Sequence, residues 1–104
     1  MFRAVAALVL LVTALPARGA GISDAEALAI VRKHCVMCHA VKPVHESFQQ
    51  APKNITLETI AELRKHAAAV YAHTVQTKAM PLGNQTAMTD VERSALGRWL
   101  KGAP

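Results

Sequence analysis

Both cysteines of this 104-residue chain lie in one short motif, Cys35-Val36-Met37-Cys38-His39, three positions apart and followed directly by a histidine. Three chemistries use cysteines at this spacing: a disulfide, a zinc site, or thioether attachment of a haem. Each makes a different demand on the rest of the chain. A redox-active pair belongs with a βαβ fold, zinc takes about four ligands, and a haem needs a domain that can wrap it.

The first 19 residues have the layout of a secretory signal peptide. Arg3 precedes an apolar run over residues 4–15, and a proline then leads to small residues that suit cleavage before Ala20. The run is well short of the roughly 20 residues that a membrane-spanning helix needs. We therefore predict a signal peptide, with an uncleaved anchor as the alternative, and a single periplasmic domain over residues 20–104.

The predicted domain is small and poor in aromatic residues, of which it keeps Phe48, Tyr71 and Trp99. A chain of this size buries only about 60–65% of its unfolded surface. Such domains usually need a disulfide, a metal or a cofactor to supplement the core. The composition therefore favours a domain built around a bound group.

The charge of the predicted domain is mild. Without Arg3 and Arg18, which precede the expected cleavage site, ten Lys and Arg residues face seven Asp and Glu residues, a formal charge of +3. The basic residues are scattered along the chain, which is not the pattern of a nucleic-acid-binding surface. We therefore expect no DNA or RNA partner.

Two helices can be recognised by their capping boxes. Ser23 with Glu26 begins a helix whose apolar positions lead to the cysteine pair, and Thr89 with Glu92 begins the last helix, which Gly102 can end. The expected apolar stripe of the last helix is Val91, Ala95, Leu96, Trp99 and Leu100. Gly97 lies inside this helix at a cost of about 1 kcal/mol. A close helix crossing would explain it, and a weak spot is the alternative.

A third helix is expected in the middle of the chain, from about Thr56 to Thr74, with apolar residues at helical spacing. Long loops over residues 40–54 and 76–90 separate the three helices. No strand-like alternation appears. We predict an all-α fold in which the long loops wrap a bound group.

This organisation favours haem among the three chemistries. The missing strands disfavour a thioredoxin-like redox pair, and no second paired cluster completes a zinc site. Two cysteines at this spacing can reach the two vinyl groups of a porphyrin, and the histidine that follows is carried under the iron. We predict one covalent haem c on Cys35 and Cys38 with His39 as axial ligand. His34 is expected to end the helix without a ligand role.

Met80 is the predicted ligand of the opposite iron position. It precedes Pro81 in a loop, where a thioether can project toward a cofactor, and a thioether opposite histidine raises the reduction potential. Met88 lies beside the Thr89 cap and is expected to pack as core. The alternatives are a histidine (His45, His66 or His73), Met88, or an open position.

The strings "CVMCH" and "MPLGNQTAMTDVERSALGRWL" resemble class I cytochromes c, and more narrowly the C-terminal cytochrome c domain of bacterial membrane-bound urate oxidases. The resemblance covers most of residues 22–101. It implies three main helices and long loops around the haem, with Cys35, Cys38, His39 and Met80 in the roles given above.

In the family a proline carbonyl steadies the axial histidine, and the resemblance makes Pro52 its counterpart, with Pro43 the runner-up. Two departures are visible in the sequence. Ala51 replaces the glycine that usually precedes this proline, and no glycine lies between residues 22 and 82. The chain also lacks the large membrane domain of the urate oxidases, so their catalytic activity is not implied.

The expected function is electron transfer rather than catalysis, because iron with two axial ligands has no vacant position for a substrate. We expect a monomer that exchanges electrons with redox partner proteins, such as a separately encoded membrane-bound oxidase or dehydrogenase. Lys33, Lys42, Lys53 and Lys78 could steer an acidic partner. The alternatives are a haem-based sensor with a labile sixth ligand and a haem-free thiol module.

Overall fold

The structure, a computed structural model, describes residues 3–11 and 21–103. Within these ranges the chain is helical and has no strand, so the predicted all-α class is confirmed. The helices are α1 (Asp24–His34), α2 (Ile60–Lys65), α3 (Ala67–Tyr71) and α4 (Asp90–Gly102). A π turn over Ala72–Gln76 continues α3, and 3₁₀ turns lie at Pro52–Asn54 and Leu82–Asn84.

Residues 3–11, in the predicted signal peptide, form neither helix nor strand. Their large apolar side chains are exposed, with Val5 at 88% and Leu8 at 86%. The rest of that segment and its cleavage site, together with Ala20 and Pro104, lie outside the described residues. No helix in the described part of the chain is both long and apolar enough to cross a bilayer.

The caps of the first and last helices agree with the sequence pattern. The Ser23 hydroxyl accepts the N–H of Glu26, and at α4 the Thr89 hydroxyl accepts the N–H of Glu92. In α4 the Glu92 carboxylate also accepts the Thr89 N–H, which completes the capping box. Gly102 is the last residue of α4.

The prediction of one continuous middle helix is wrong in two respects. The helix begins at Ile60, because Thr59 rather than Thr56 accepts the N–H of Glu62 and caps it. The Thr56 hydroxyl instead donates to the Glu62 carboxylate, a bond that lowers the pKa of this group. The helix then breaks at His66, whose backbone leaves helical geometry (φ −105°, ψ 14°) between α2 and α3.

The core lies where α1 and α4 cross and where α2 and α3 pack against them. Val31, Leu63 and Leu96, from three different helices, are its fully buried large side chains. Met88 joins this cluster at 5% exposure, as expected for a packing role. Val91 is 79% exposed, so its place in the predicted apolar stripe is wrong.

Gly97 marks a close contact between α4 and the end of α3. A β-carbon added there would lie 3.0 Å from Cγ2 of Val75 and 3.8 Å from the ring of Tyr71. The glycine therefore allows the backbones to approach, which confirms the close-crossing explanation for its place inside a helix.

We predict that Gly97→Leu lowers the free energy of unfolding by about 1–3 kcal/mol, because the added side chain overpacks the contact with Val75. Urea titration measures the change. Gly102→Leu is the matched control, since a β-carbon at Gly102 meets no atom within 4 Å. Equal effects of the two substitutions would contradict the proposed role of the crossing.

Candidate functional site

The cysteine motif forms an additional turn at the C-terminal end of α1. The carbonyl of Cys35 accepts the N–H of Cys38 at 3.2 Å and that of His39 at 2.9 Å. Residues three and four positions apart lie on the same side of such a turn. The local backbone therefore brings both thiols and the imidazole to one side of the chain.

His39 is held by residues 55–57 through both its ring and its backbone. Its Nδ1 lies 2.8 Å from the carbonyl oxygen of Ile55, and its own carbonyl accepts the N–H of Leu57 at 2.9 Å. Because a carbonyl can only accept, Nδ1 is the donor, and in the neutral ring Nε2 then carries the lone pair. This is the tautomer that a metal-binding histidine needs.

The partner of His39 corrects the sequence prediction. The expected acceptor was the carbonyl of Pro52, with that of Pro43 as runner-up, but the observed acceptor is Ile55. The Pro52 carbonyl instead accepts the N–H of Ile55 at 3.1 Å. Pro52 thus closes the turn that presents the Ile55 carbonyl and does not bond to the histidine itself.

Met80 is fixed by hydrogen bonds on both sides of its backbone. Its N–H donates to the carbonyl of His73 at 2.9 Å, and its carbonyl accepts from the guanidinium of Arg93 at 2.9 Å. Met80 itself is half-buried. The π turn and α4 therefore fix the backbone position from which the Met80 side chain extends.

The predicted site residues surround two adjacent cavities of about 90 and 300 Å³. Cys35, His39, Pro52 and Met80 line both cavities, and Cys38 lines the smaller one. The exposed walls of both are almost entirely apolar. The fold thus brings all five residues to one apolar space, although 41 positions separate His39 from Met80.

Other predicted residues lie at or away from these walls. His45 and Phe48 line the smaller cavity with their rings 5.6 Å apart, and His73 and Lys53 line the larger one. Neither cavity is lined by the remaining candidates, which are Pro43, His66, Met88, Lys33, Lys42 and Lys78. Of the four lysines named from the sequence, Lys53 is therefore the one placed at the site.

The electrostatics of the cysteines disfavour thiol redox chemistry. Burial, reinforced by the neighbouring Cys38, raises the pKa of the Cys35 thiol to about 12, and burial also raises the pKa of Cys38. Redox-active cysteines have lowered pKa values, because the thiolate is the nucleophile. Within residues 3–11 and 21–103, no three His, Cys, Asp or Glu side chains cluster as a metal site would require.

The donor set fits a haem better than it fits either alternative. It combines two protonated thiols, an imidazole with a free Nε2 lone pair and a thioether around an apolar space. Imidazole and thioether are axial ligands of haem iron, and paired cysteines are its covalent anchors.

His34 has a larger structural role than its sequence context indicated. It ends α1 as predicted, but its side chain is buried, with Nδ1 2.7 Å from the Thr86 hydroxyl and Nε2 2.9 Å from Oε2 of Glu92. The carboxylate accepts the hydrogen bond from Nε2. The His34 ring therefore joins α1, α4 and the loop before α4 that contains Met80 and Thr86 (the Met80 loop). The capping box predicted from the sequence involves only one carboxylate oxygen of Glu92. Nothing in the sequence indicated that the other oxygen binds His34.

Arg93 is the second residue that the sequence reasoning missed. It is buried, and its guanidinium donates to the carbonyls of Thr74 and Met80. A signal existed in the sequence, since Arg93 lies three and seven residues before the core residues Leu96 and Leu100. A charge at that spacing falls on the apolar stripe, where it needs polar partners.

We predict that Glu92→Gln removes an acid-sensitive part of the stability. Hydrogen bonds from His34 and then Thr89 lower the pKa of Glu92 from 4.5 to about 2. Because the folded-state pKa is depressed, the stabilisation is complete above about pH 4.5 and is lost as the pH falls toward 2. Its size at neutral pH is about 1–3 kcal/mol.

Urea titrations of wild type and Glu92→Gln across this pH range measure the effect. The difference in unfolding free energy should shrink toward pH 2. The control is Glu46→Gln, an exposed glutamate outside this network, for which the difference should stay near zero. A wild-type–Glu92→Gln difference that does not change with pH would rule out the proposed ionic contribution.

Comparison of the chain with protein-family models, curated proteins and solved structures finds no match in any of the three. The resemblance to class I cytochromes c therefore stays a prediction, and the function has to be inferred from the residues of the site.

Proposed function

We propose that this protein is a periplasmic electron carrier that holds one covalent haem c. The observation that carries the proposal is the meeting of Cys35, Cys38, His39 and Met80 at one apolar space, with Nδ1 of His39 engaged by a carbonyl. Cys35 and Cys38 would hold the haem through thioether bonds, and His39 and Met80 would bind its iron. The corresponding fold is a small class I cytochrome c-like fold.

When bound, haem iron supplies reversible exchange of single electrons. The chain's own residues set the conditions for that exchange. The Ile55 carbonyl orients the imidazole of His39 and increases its basicity, and the thioether of Met80 would favour the reduced state of a bound iron. The walls of both cavities are almost entirely apolar, and apolar surroundings would also raise the potential of a bound haem.

Electron transfer follows from the number of strong ligands. With His39 and Met80 both bound to the iron, no position would remain for a substrate, so the protein would pass electrons and would not itself be an enzyme. The protein would act as a monomer in the periplasm. Its partners there would be redox proteins, such as a membrane-bound oxidase or dehydrogenase. Lys53 is exposed and lines the larger cavity, and its positive charge would favour an acidic partner.

Haem attachment is tested by expression with cytochrome c maturation machinery. We predict a haem-stained band on a denaturing gel for the wild type and none for the double variant Cys35→Ala, Cys38→Ala, because a non-covalent haem is lost on denaturation. Val36→Ala, a change between the two cysteines, should keep the stain. Persistent staining of the double variant would refute covalent attachment at this motif.

The distal ligand is tested by a matched pair of substitutions. We predict that Met80→Leu abolishes the weak methionine–iron charge-transfer band of the oxidised protein and lowers the midpoint potential, because the soft thioether is lost. Met88→Leu conserves volume in the core and should keep both.

Two other results would redirect the assignment. Retention of the charge-transfer band in Met80→Leu would eliminate Met80 as the ligand. A high-spin wild-type spectrum that becomes low-spin on addition of imidazole would favour the alternative, a haem-based sensor with a labile sixth position.

A further inference from the structure

Arg93 is a buried cation on the face of α4 that otherwise builds the core. Arg93 is 8% exposed. One and two turns further along the same face lie Leu96 and Leu100, which are 0% and 4% exposed. An arginine side chain keeps its positive charge in proteins, so the charge itself is held inside the domain. Burial of a cation is costly unless polar groups compensate it.

The compensation comes from two backbone carbonyls. One guanidinium nitrogen of Arg93 donates to the carbonyl of Thr74 and to that of Met80. Thr74 lies in the last turn of the α3 and π-turn segment, where carbonyls lack helical partners and carry the negative end of the helix dipole. Arg93 therefore joins the end of this helix to the backbone of the predicted iron ligand.

No carboxylate neutralises this charge in the described part of the chain. The acidic side chains that form ion pairs there, Asp24 and Glu92, pair with Arg64 and with Lys33 and His34. Carbonyl dipoles solvate the guanidinium but leave its net charge in place. A positive charge thus remains buried directly beside Met80.

We infer that Arg93 is a positioning residue that anchors Met80 and whose charge raises the reduction potential. This inference rests on the proposed function. A fixed cation repels the oxidised iron more than the reduced iron, since oxidation adds one positive charge to the site. The interaction is weakly screened, because the guanidinium is shielded from solvent and Met80 is half-buried.

Three variants of the haem-loaded full chain separate the charge from the hydrogen bonds. Arg93→Gln removes the charge and keeps N–H donors, and Arg93→Lys keeps the charge on a shorter side chain. Arg98→Gln removes an exposed arginine from the same helix and serves as control. The readouts are the midpoint potential and the methionine–iron charge-transfer band, which a purely structural role would not move separately.

At a fixed ambient potential, we expect the reduced-to-oxidised ratio to fall about tenfold in Arg93→Gln while the methionine band persists. The ratio should stay within about threefold of wild type in Arg93→Lys and in Arg98→Gln. Equal ratios in Arg93→Gln and Arg98→Gln overturn the inference. If Arg93→Gln does not fold, Arg93→Lys decides, and a fall of about tenfold in that charge-preserving variant overturns it.

The wild-type protein distinguishes this failure from failure of the proposed function. A wild type without haem or without the methionine band overturns the proposed function, and the inference with it. A wild type that shows both, with a potential insensitive to Arg93→Gln, overturns the inference alone.

Discussion

The hydrogen bond between His34 and Glu92 is the interaction on which the arrangement of the site depends. His34 is the last residue of α1, directly before the cysteine motif, and Glu92 lies in the first turn of α4, directly after the Met80 loop. Their bond, 2.9 Å long, joins the C-terminal end of α1 to the N-terminal end of α4, next to the segments that contain the candidate ligands. The second ring nitrogen of His34 holds Thr86, so the loop between them is tied to the same point.

The two faces of the site are held by different means. On one face, residues 55–57 form hydrogen bonds with the ring and the backbone carbonyl of His39. On the other, Arg93 and the carbonyl of His73 hold the backbone of Met80. His39 is held by two hydrogen bonds from one segment, and Met80 by two hydrogen bonds from separate segments. Two bonds restrict the movement of a residue more than one bond does. This preorganisation is consistent with the proposed carrier function, because a rigid site would change little as a bound iron gained or lost an electron.

The loops achieve these positions without the glycines that such turns often use. Lys53 and Asn54 adopt positive φ angles of 56° directly before residues 55–57, which bind His39. Lys78 has the same φ angle shortly before Met80. A left-handed backbone is unfavourable for residues with a β-carbon, and asparagine tolerates it best. The scarcity of glycines in the sequence thus corresponds to backbone strain close to both candidate ligands.

Local sequence signals determined the class of the fold, the caps of α1 and α4, the burial of Met88 and the turn that aligns Cys35, Cys38 and His39. These depend on residues three or four positions apart, whose geometry the helical backbone itself imposes. The middle helix was predicted less well, because two competing threonines precede Glu62 and nothing local announces the break at His66.

Only the tertiary structure decided the partners of the key side chains. Ile55 is 16 positions from His39, Glu92 is 58 from His34, and Arg93 is 13 from Met80. Several partners were chemically equivalent in each case, and the packing of segments distant in sequence selected among them. The sequence alone therefore named the candidate residues of the site, whereas the tertiary structure determined which groups hold those residues in place.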